Sequence, residues 1–407
     1  MTNRQAAIKI VKQLRKHGYK ALLAGGCVRD MLLGRAAKDY DVATSAEPRE
    51  IVKLFKRTIK VGAKFGVIVV LIDEQQVEVA TFRTEGNYTD GRHPSSVVFS
   101  GDEEDAKRRD FTINGMFYDP IEKEVIDYVG GQADLKKGIV QTIGKADERF
   151  GEDYLRMLRA IRFSIQLGFE LESETAAAIG KNADRISNIS GERIAMELEG
   201  ILTNLNRADG ARQLRKSRLA EIIFPLMADK ELANSGAAVL EQLPKLTDFP
   251  LALAGFFAGA ETAAAVNACA ILKLSRNQIR HFKFLLENRG KLLKADMSLA
   301  QLKMVASEPY FSDLRKLQKA IQKAGSKSTS SLGVIDRRLK ALAGIELRPK
   351  PLLNGYELIR LGAVAGPQVG LLAQELYIEQ LCERVNSADE AKIWAKKWLH
   401  RHKRWDS

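Results

Sequence analysis

The chain opens on an amphipathic helical pattern from Met1 to His17, where Ile8, Ile10, Val11 and Leu14 recur among charged residues. A short apolar run ending Leu22-Leu23-Ala24 then stops at Gly25-Gly26. A turn of helix with apolar Val28, Met31, Leu32 and Leu33 follows, and a second strand is predicted from Asp39. The local order is strand, glycine turn, helix, strand. Pro48 to Phe55 reads as a helix with Ile51, Leu54 and Phe55 on its apolar face. Val67 to Ile72 is a continuous, mostly β-branched strand, Val77 to Arg83 alternates as a half-buried strand does, and Asp73 to Gln76 supply the turn between them. Thr84 to Pro94, with Asp90, Arg92 and His93, is rich in turn formers and reads as a flexible loop.

Helical patterns then dominate. Arg149 to Phe163 is predicted as a helix with Leu155, Leu158 and Ile161 on one face and Arg156, Arg159 and Arg162 striped along another. Gly191 to Leu198 opens a further helix with Ser190 as its N-cap and Glu192 and Arg193 in its first turn. Ala-rich residues 252–270 and a basic stretch at Arg276, Arg280, His281 and Lys283 continue the helical pattern, and Gly325 to Ser331 reads as a linker. The expected fold class is α+β: a head with a mixed sheet over residues 1–140, then an all-helical neck (141–205), body (206–324) and tail (325–407).

Charge sharpens this picture. The 407 residues carry a formal net charge of +13 spread along the chain, which makes a polyanion, nucleic acid above all, the default partner. The three cysteines are far apart and show no disulfide or zinc spacing, which fits a reducing, cytoplasmic setting. No apolar run reaches the roughly 20 residues of a membrane span, so no membrane partner is expected.

The candidate chemistry sits in the opening unit. Glycines at a strand-to-helix junction let backbone N–H groups approach an anion, so Gly25, Gly26 and Arg29 can hold a triphosphate. Asp39 and Asp41, at i and i+2 of a strand, face one way and hold two carboxylates close together, a donor set suited to Mg²⁺. Such a pair also occurs in plain surface turns, but the glycine turn and helix ahead of it favour a site. Glu78 is either a third carboxylate of that site or a solvent-facing residue. Lys107-Arg108-Arg109-Asp110 precedes an apolar segment with Asn114. Arg109 can fork onto phosphate, and Asp110 can accept from a ribose hydroxyl or orient the arginine. Glu152, Asp153 and Arg156 can form a plain helix salt bridge. Alternatively, a carboxylate accepting from an exocyclic amine and a guanidinium donating to ring acceptors read the edge that C and A share.

Gly25-Gly26-x-Val28-Arg29-Asp30 followed by Asp39-x-Asp41 resembles the signature of the class II tRNA nucleotidyltransferase and bacterial poly(A) polymerase family, within the polymerase-β-like nucleotidyltransferases. The later motifs in chain order extend the likeness over roughly the first half. The resemblance implies a polymerase-β-like head with Asp39 and Asp41 as Mg²⁺ ligands and Glu78 beside them. It implies nucleotide contacts at Gly25, Gly26, Arg29, Arg109, Asp110, Asn114, Glu152, Asp153, Arg156, Arg159 and Arg162, and a mobile loop at Asp90 and Arg92. Glu152-Asp153-x-x-Arg156 would act as a protein template for the incoming base, Glu152 holding the arginine, and Glu192 and Arg193 would brace the neck. The implied function is template-independent addition of CMP and AMP from CTP and ATP to a tRNA 3′ end, with release of pyrophosphate. Two rivals follow from the same residues: a poly(A) polymerase or terminal A-adding enzyme, which Phe65 leaves open where many CCA-adding members carry His, and a non-catalytic RNA-binding protein. The interleaved Trp394, Trp398, His400, Arg401, His402, Lys403, Arg404 and Trp405 can clasp RNA or pack helices.

Overall fold

The computed structural model describes residues 1–85 and 97–402. Asp90 and Arg92 of the expected loop, and Lys403, Arg404 and Trp405 of the aromatic and basic tail, lie outside the described residues. The chain divides into two compact units, one of Met1–Glu241 with Lys245–Ile279, the other of Gln242–Pro244 with Arg280–Ser407.

The first unit begins with helix α1 (Asn3–Lys16), whose buried face is Ala6, Ala7, Ile10, Val11 and Leu14. Thr2 and Gln5 form a reciprocal capping box at its start, satisfying two otherwise orphan N–H groups. Strand β1 (Ala21–Ala24) is buried at every position and ends at helix α2 (Gly26–Leu32). Strand β2 spans Asp41–Thr44, helix α3 Pro48–Leu54 and strand β3 Thr58–Gly62. Strands β4 (Val67–Ile72) and β5 (Gln75–Thr81) pair through a two-residue turn, Asp73-Glu74, with both residues at positive φ. A two-residue hairpin of this hand matches the strand twist, which is why non-glycine residues tolerate the conformation. The short strands β6 (Arg83–Glu85) and β7 (Val97–Phe99) pair as a separate ribbon, so Thr84 and Glu85, expected in a loop, are strand residues held by that ladder.

Helix α4 (Asp102–Lys107) leads to strands β8 (Phe117–Asp119) and β9 (Glu124–Ile126). The main sheet has the order β3-β4-β5-β2-β1-β8-β9, and it is mixed because β2 and β5 run parallel while the other pairs are antiparallel. Leu22, Ala24, Ala43, Phe82, Ala106 and Phe117 pack together against it, with the Phe82 and Phe117 rings edge to face at 5.8 Å. The three-residue strands β8 and β9 are too short to display an alternation in the sequence; pairing of β8 onto β1 and of β9 onto β8 makes them strands.

Helix α5 (Gly131–Lys137) and the paired strands β10 (Ile139–Val140) and β11 (Glu170–Leu171) bracket helices α6 (Ala146–Glu152) and α7 (Leu155–Leu167). The single helix predicted over 149–163 is thus two, broken where Asp153 turns extended at φ −149° and ψ 105°. Leu155, Leu158 and Ile161 are buried as their spacing predicts. Helices α8 (Ser173–Asn182) and α9 (Gly191–Leu202) complete this region. Ser190 stands at the N-cap of α9, but its hydroxyl makes no capping bond. A Cβ on Gly191 would lie 1.7 Å from the Ile271 carbonyl oxygen, so only glycine admits this approach of α9 to the turn at 269–272.

In the second unit Leu353, Leu358, Leu372, Leu376 and Trp398 share a core, with Trp394 partly buried against it. The indole N–H of Trp398 donates to Glu375 at 2.7 Å, and its ring stacks on His402 at 4.0 Å. These two tryptophans therefore serve helix packing. The segment expected as a linker is a tight connection: helix 311–324 is followed by helix 330–341, and Gln322 donates to the Ser328 carbonyl at 2.6 Å. No described helix is long and apolar enough to cross a membrane.

Candidate active site

Two strand ends and a glycine turn build one wall of the site. Ala24, the last residue of β1, lies opposite Asp41, the first of β2. Beyond Ala24 the chain turns at Gly25 with φ 71° and ψ −129°, a conformation few side chains tolerate, and enters α2. The neighbouring pair is Val42 and Val79, so the preceding residues on the parallel strands β2 and β5 are Asp41 and Glu78, on one face. Asp39 lies two residues before β2, outside any regular element rather than in the strand predicted for it; the ladder starts only where β1 supplies a partner.

The three carboxylates interact. Asp41 is exposed by surface area, yet protein crowds its carboxyl, and this desolvation with the charges of Glu78 and Asp39 pushes it up to about 6 against the pull of Arg109. Behind the wall Cys27 is buried, its thiol pushed up to about 11 by burial and bonded to the Ala24 carbonyl at 3.3 Å. That inert thiol is packing.

Opposite stands a set of arginines, each gripped by an acid. Asp105 of α4 is buried and accepts from Arg108 at 2.7 Å and Arg109 at 3.0 Å. Burial pushes its carboxyl up, but the two guanidinium groups prevail and hold it below the usual range. Asp110 accepts from Arg159 at 2.6 Å and from the Asn114 amide at 3.3 Å, and it too is held low despite burial. Asn114 in turn accepts from Arg29 at 2.8 Å, and Arg29 pairs with Asp30 at 2.8 Å. A polar chain thus runs from α7 to α2. Asp110 therefore orients an arginine, one of the two roles its chemistry allows.

At the α6–α7 joint, Glu152 binds both Arg149, at 2.9 Å, and Arg156 in a closer contact. Asp153 does not pair with Arg156; it accepts from Arg193 of α9 at 2.6 Å and from the Leu155 N–H at 3.0 Å. The break in the helix aims Asp153 at α9.

These elements enclose an open cavity of about 500 Å³ lined by Gly25, Gly26, Arg29, Asp41, Arg109, Asp110, Asn114, Asp153, Arg156 and Arg159 among the expected residues. Arg108, Leu155, Phe163 and Arg193 line it as well. Asp39, Glu78 and Glu152 are not among the lining residues. Arg162 is turned to Glu197 at 2.5 Å and lies outside it. Of the residues missed, Phe163 is buried and has Arg29, Arg159 and Arg162 within 5.3 Å of its ring. Its place directly after the arginine stripe was the available signal. Arg193 was read as a brace because nothing local shows that α9 returns to Asp153.

Residues 21–141 match the family described as "Poly A polymerase head domain", and 168–231 match "Probable RNA and SrmB- binding site of polymerase A". A CCA-adding enzyme of Geobacillus kaustophilus is 46% identical over 235 residues, 58% of each chain, so that alignment spans a little over half of the relative's length. A CCA-adding enzyme of Lactobacillus johnsonii is 34% identical over 399 residues, 95% of each chain. The chain belongs to the CCA-adding enzyme family. The crystal structure of the Bacillus stearothermophilus CCA-adding enzyme in complex with CTP matches over 99% of both chains, with a TM-score of 0.82 and 29% identity. The Thermotoga maritima CCA-adding enzyme complexed with tRNA shares the fold at a TM-score of 0.68 and 21% identity. Nucleotidyltransferases of this family use divalent metal ions.

Membership agrees with the mixed-sheet head, and it gives the glycine turn a sharp test. A Cβ on Gly25 would lie 2.9 Å from Arg109 Nη1 at a φ that strains any other residue. Gly25→Ala is expected to raise the KM for nucleotide about tenfold or more, since a bulkier turn displaces Arg109 and keeps the backbone from the phosphates. Steady-state kinetics with circular dichroism as a folding control checks this.

Proposed function

We propose that this chain is a template-independent tRNA nucleotidyltransferase that adds CMP and AMP from CTP and ATP to the tRNA 3′ end, releasing pyrophosphate. The observation that carries the reading is one cavity holding a carboxylate on a strand end, a glycine turn and a ring of clamped arginines, with Asp153 and Arg156 at its far wall. Family membership supports it. We read residues 1–140 as the catalytic head, 141–205 as the neck with the nucleotide-selecting joint, and 206–324 and 325–407 as helical body and RNA-binding tail, acting in the cytoplasm.

Asp39 and Asp41, with Glu78 alongside, offer hard oxygen donors, and the carboxyl of Asp41 stays raised by its desolvation and its acidic neighbours in spite of Arg109; this fits Mg²⁺. When bound there, Mg²⁺ supplies activation of the attacking hydroxyl and neutralisation of charge on the departing pyrophosphate. The chain's own residues do the rest. Gly26 presents its backbone N–H, while the Gly25 N–H is donated to the Met116 carbonyl at 3.1 Å and fixes the turn, and Arg29 and Arg109 hold phosphate oxygens, so that the α-phosphate faces the RNA 3′ oxygen. That oxygen bonds to the α-phosphorus, loses its proton, and the bond from the α-phosphorus to the pyrophosphate oxygen breaks. Asp153 accepts from the exocyclic amine of C or A and Arg156 donates to the ring acceptor, while G and U present the reverse pattern.

The test offers purified protein and Mg²⁺ three RNAs: a tRNA lacking CCA, a tRNA ending in CC, and an unstructured oligomer, with CTP, ATP, both, or GTP and UTP. Three added nucleotides on the first, with both CTP and ATP required, is the expected result. Long A tails would mean poly(A) synthesis, one A on the CC-ended tRNA alone would mean a terminal A-adding enzyme, and no product on any RNA would leave an RNA-binding protein.

A further inference from the structure

Arg149 of α6 does not line the cavity, yet its half-buried guanidinium ties two parts of the lining together. Its Nε donates to the Ile143 carbonyl at 3.0 Å, and Nη1 pairs with Glu152 at 2.9 Å. Nη2 donates to the Lys107 carbonyl at 2.9 Å, and Nη1 also reaches the Arg108 carbonyl at 3.3 Å. Those two carbonyls end α4, where the helix itself supplies no N–H for them. The two ends of this clamp serve different parts of the nucleotide. Helix α4 carries Asp105, which grips Arg108 and Arg109 on the phosphate side. Glu152 holds Arg156 on the base side, and Arg156 donates in turn to the carbonyls of Arg149, at 3.1 Å, and Arg108, at 3.5 Å. Only a planar guanidinium with its fork of donors reaches all the acceptors around Arg149 at once; an ammonium group is a point and meets one or two of them.

We infer that Arg149 is a positioning residue that couples the two halves of nucleotide recognition. A triphosphate that draws on Arg109 steadies the end of α4, and through Arg149 this steadies Glu152 and Arg156 for reading the base. The inference rests on the phosphate and base contacts proposed above. Coupling of this kind is reciprocal, so a matching base also tightens the hold on the phosphates. A nucleotide without its β- and γ-phosphates leaves the clamp unbraced and is read less strictly.

The test measures equilibrium binding of CTP, UTP, CMP and UMP to the full chain with Mg²⁺ and without RNA, so that no transfer occurs. In the wild type the preference for C over U is expected to be about tenfold greater among triphosphates than among monophosphates. Two variants break the clamp differently: Arg149→Lys keeps the charge beside Glu152, and Arg149→Gln keeps an amide donor without the charge. In both, that excess is expected to fall below about threefold. The excess compares ligands on one protein, so a smaller folded fraction does not change it, and thermal midpoints record any loss of stability separately. A lowered midpoint with the wild-type excess retained would make Arg149 a structural cap alone and overturn the inference. Equal preference in the two ligand sets for the wild type would also overturn it. A wild type that binds nucleotides without preferring C refutes the base reading itself, whereas an excess intact in both variants refutes only the coupling.

Discussion

Asp41→Asn is expected to lower kcat at least about 10³-fold, because removing one anionic donor from the pair with Asp39 removes most of the several kcal/mol that metal-assisted charge stabilisation supplies. The same substitution should make the metal-free protein more stable. The Asp41 carboxyl has its folded pKa raised to about 6 from an ordinary value of 3.8. A carboxyl raised in this way leaves stability fully present below the unfolded value and lost as pH rises through the folded one. The decline therefore falls between about pH 4 and pH 6 in the parent protein with EDTA and is absent from the variant. Since Asp41 is largely exposed, solvent screening reduces the gain at pH 7.5 to about 1 kcal/mol, roughly 2 °C in thermal midpoint. Calorimetry in EDTA at pH 5 and pH 7.5, beside a transfer assay, reads both. A variant that loses activity and also loses stability would mean that Asp41 holds the fold rather than the metal.

Arg156→Ala is expected to lower kcat/KM for CTP and ATP about 10²-fold or more and to cut discrimination against UTP and GTP to less than about tenfold, because a site built around hydrogen bonds to a base edge discriminates through the cost of leaving those groups unpaired. The geometry sharpens this. Arg156 is buried and fixed by Glu152 and by the Arg149 carbonyl at 3.1 Å, so its guanidinium is preorganised before nucleotide arrives. Asp153 is fixed separately by Arg193. Arg193→Ala should therefore relax selection at the amine end only, costing about tenfold in kcat/KM while Arg156 still refuses U and G. Competition assays with mixed nucleotides resolve the two patterns. If the joint serves only to connect α6 and α7, Arg156→Ala will lower the melting temperature with selection unchanged.

The sequence was most informative where local chemistry and local geometry coincide. The glycine turn at Gly25 and the periodic face of Leu155, Leu158 and Ile161 are written in neighbouring residues and reappear as such. Where distant segments decide, it was silent or misleading. Asp105 carries no local mark of gripping Arg108 and Arg109 from a buried position, since an acid three or four residues from an arginine on a helix usually means a solvated pair. Arg193 reaches Asp153 across forty positions. Asp153 and Arg156 suggested one another by spacing, but the extended backbone at Asp153 separates them and gives each its own partner. Strand β8 exists only because β1 leaves an unpaired edge for it, and β9 because β8 then offers the next edge.

The outermost strand β3 has a bearing on how this protein behaves in concentrated solution. Its pairing with β4 slips between Ile59 and Gly62, and Lys60 lies within the irregular stretch. A regular border there would present unpaired amide and carbonyl groups in register to any other chain, with the 40% exposed Ile59 as an adhesive spot. The slip interrupts that register and the lysine places a charge beside it, so intermolecular strand addition, the first step of ordered aggregation, meets a mismatched template on this side of the sheet.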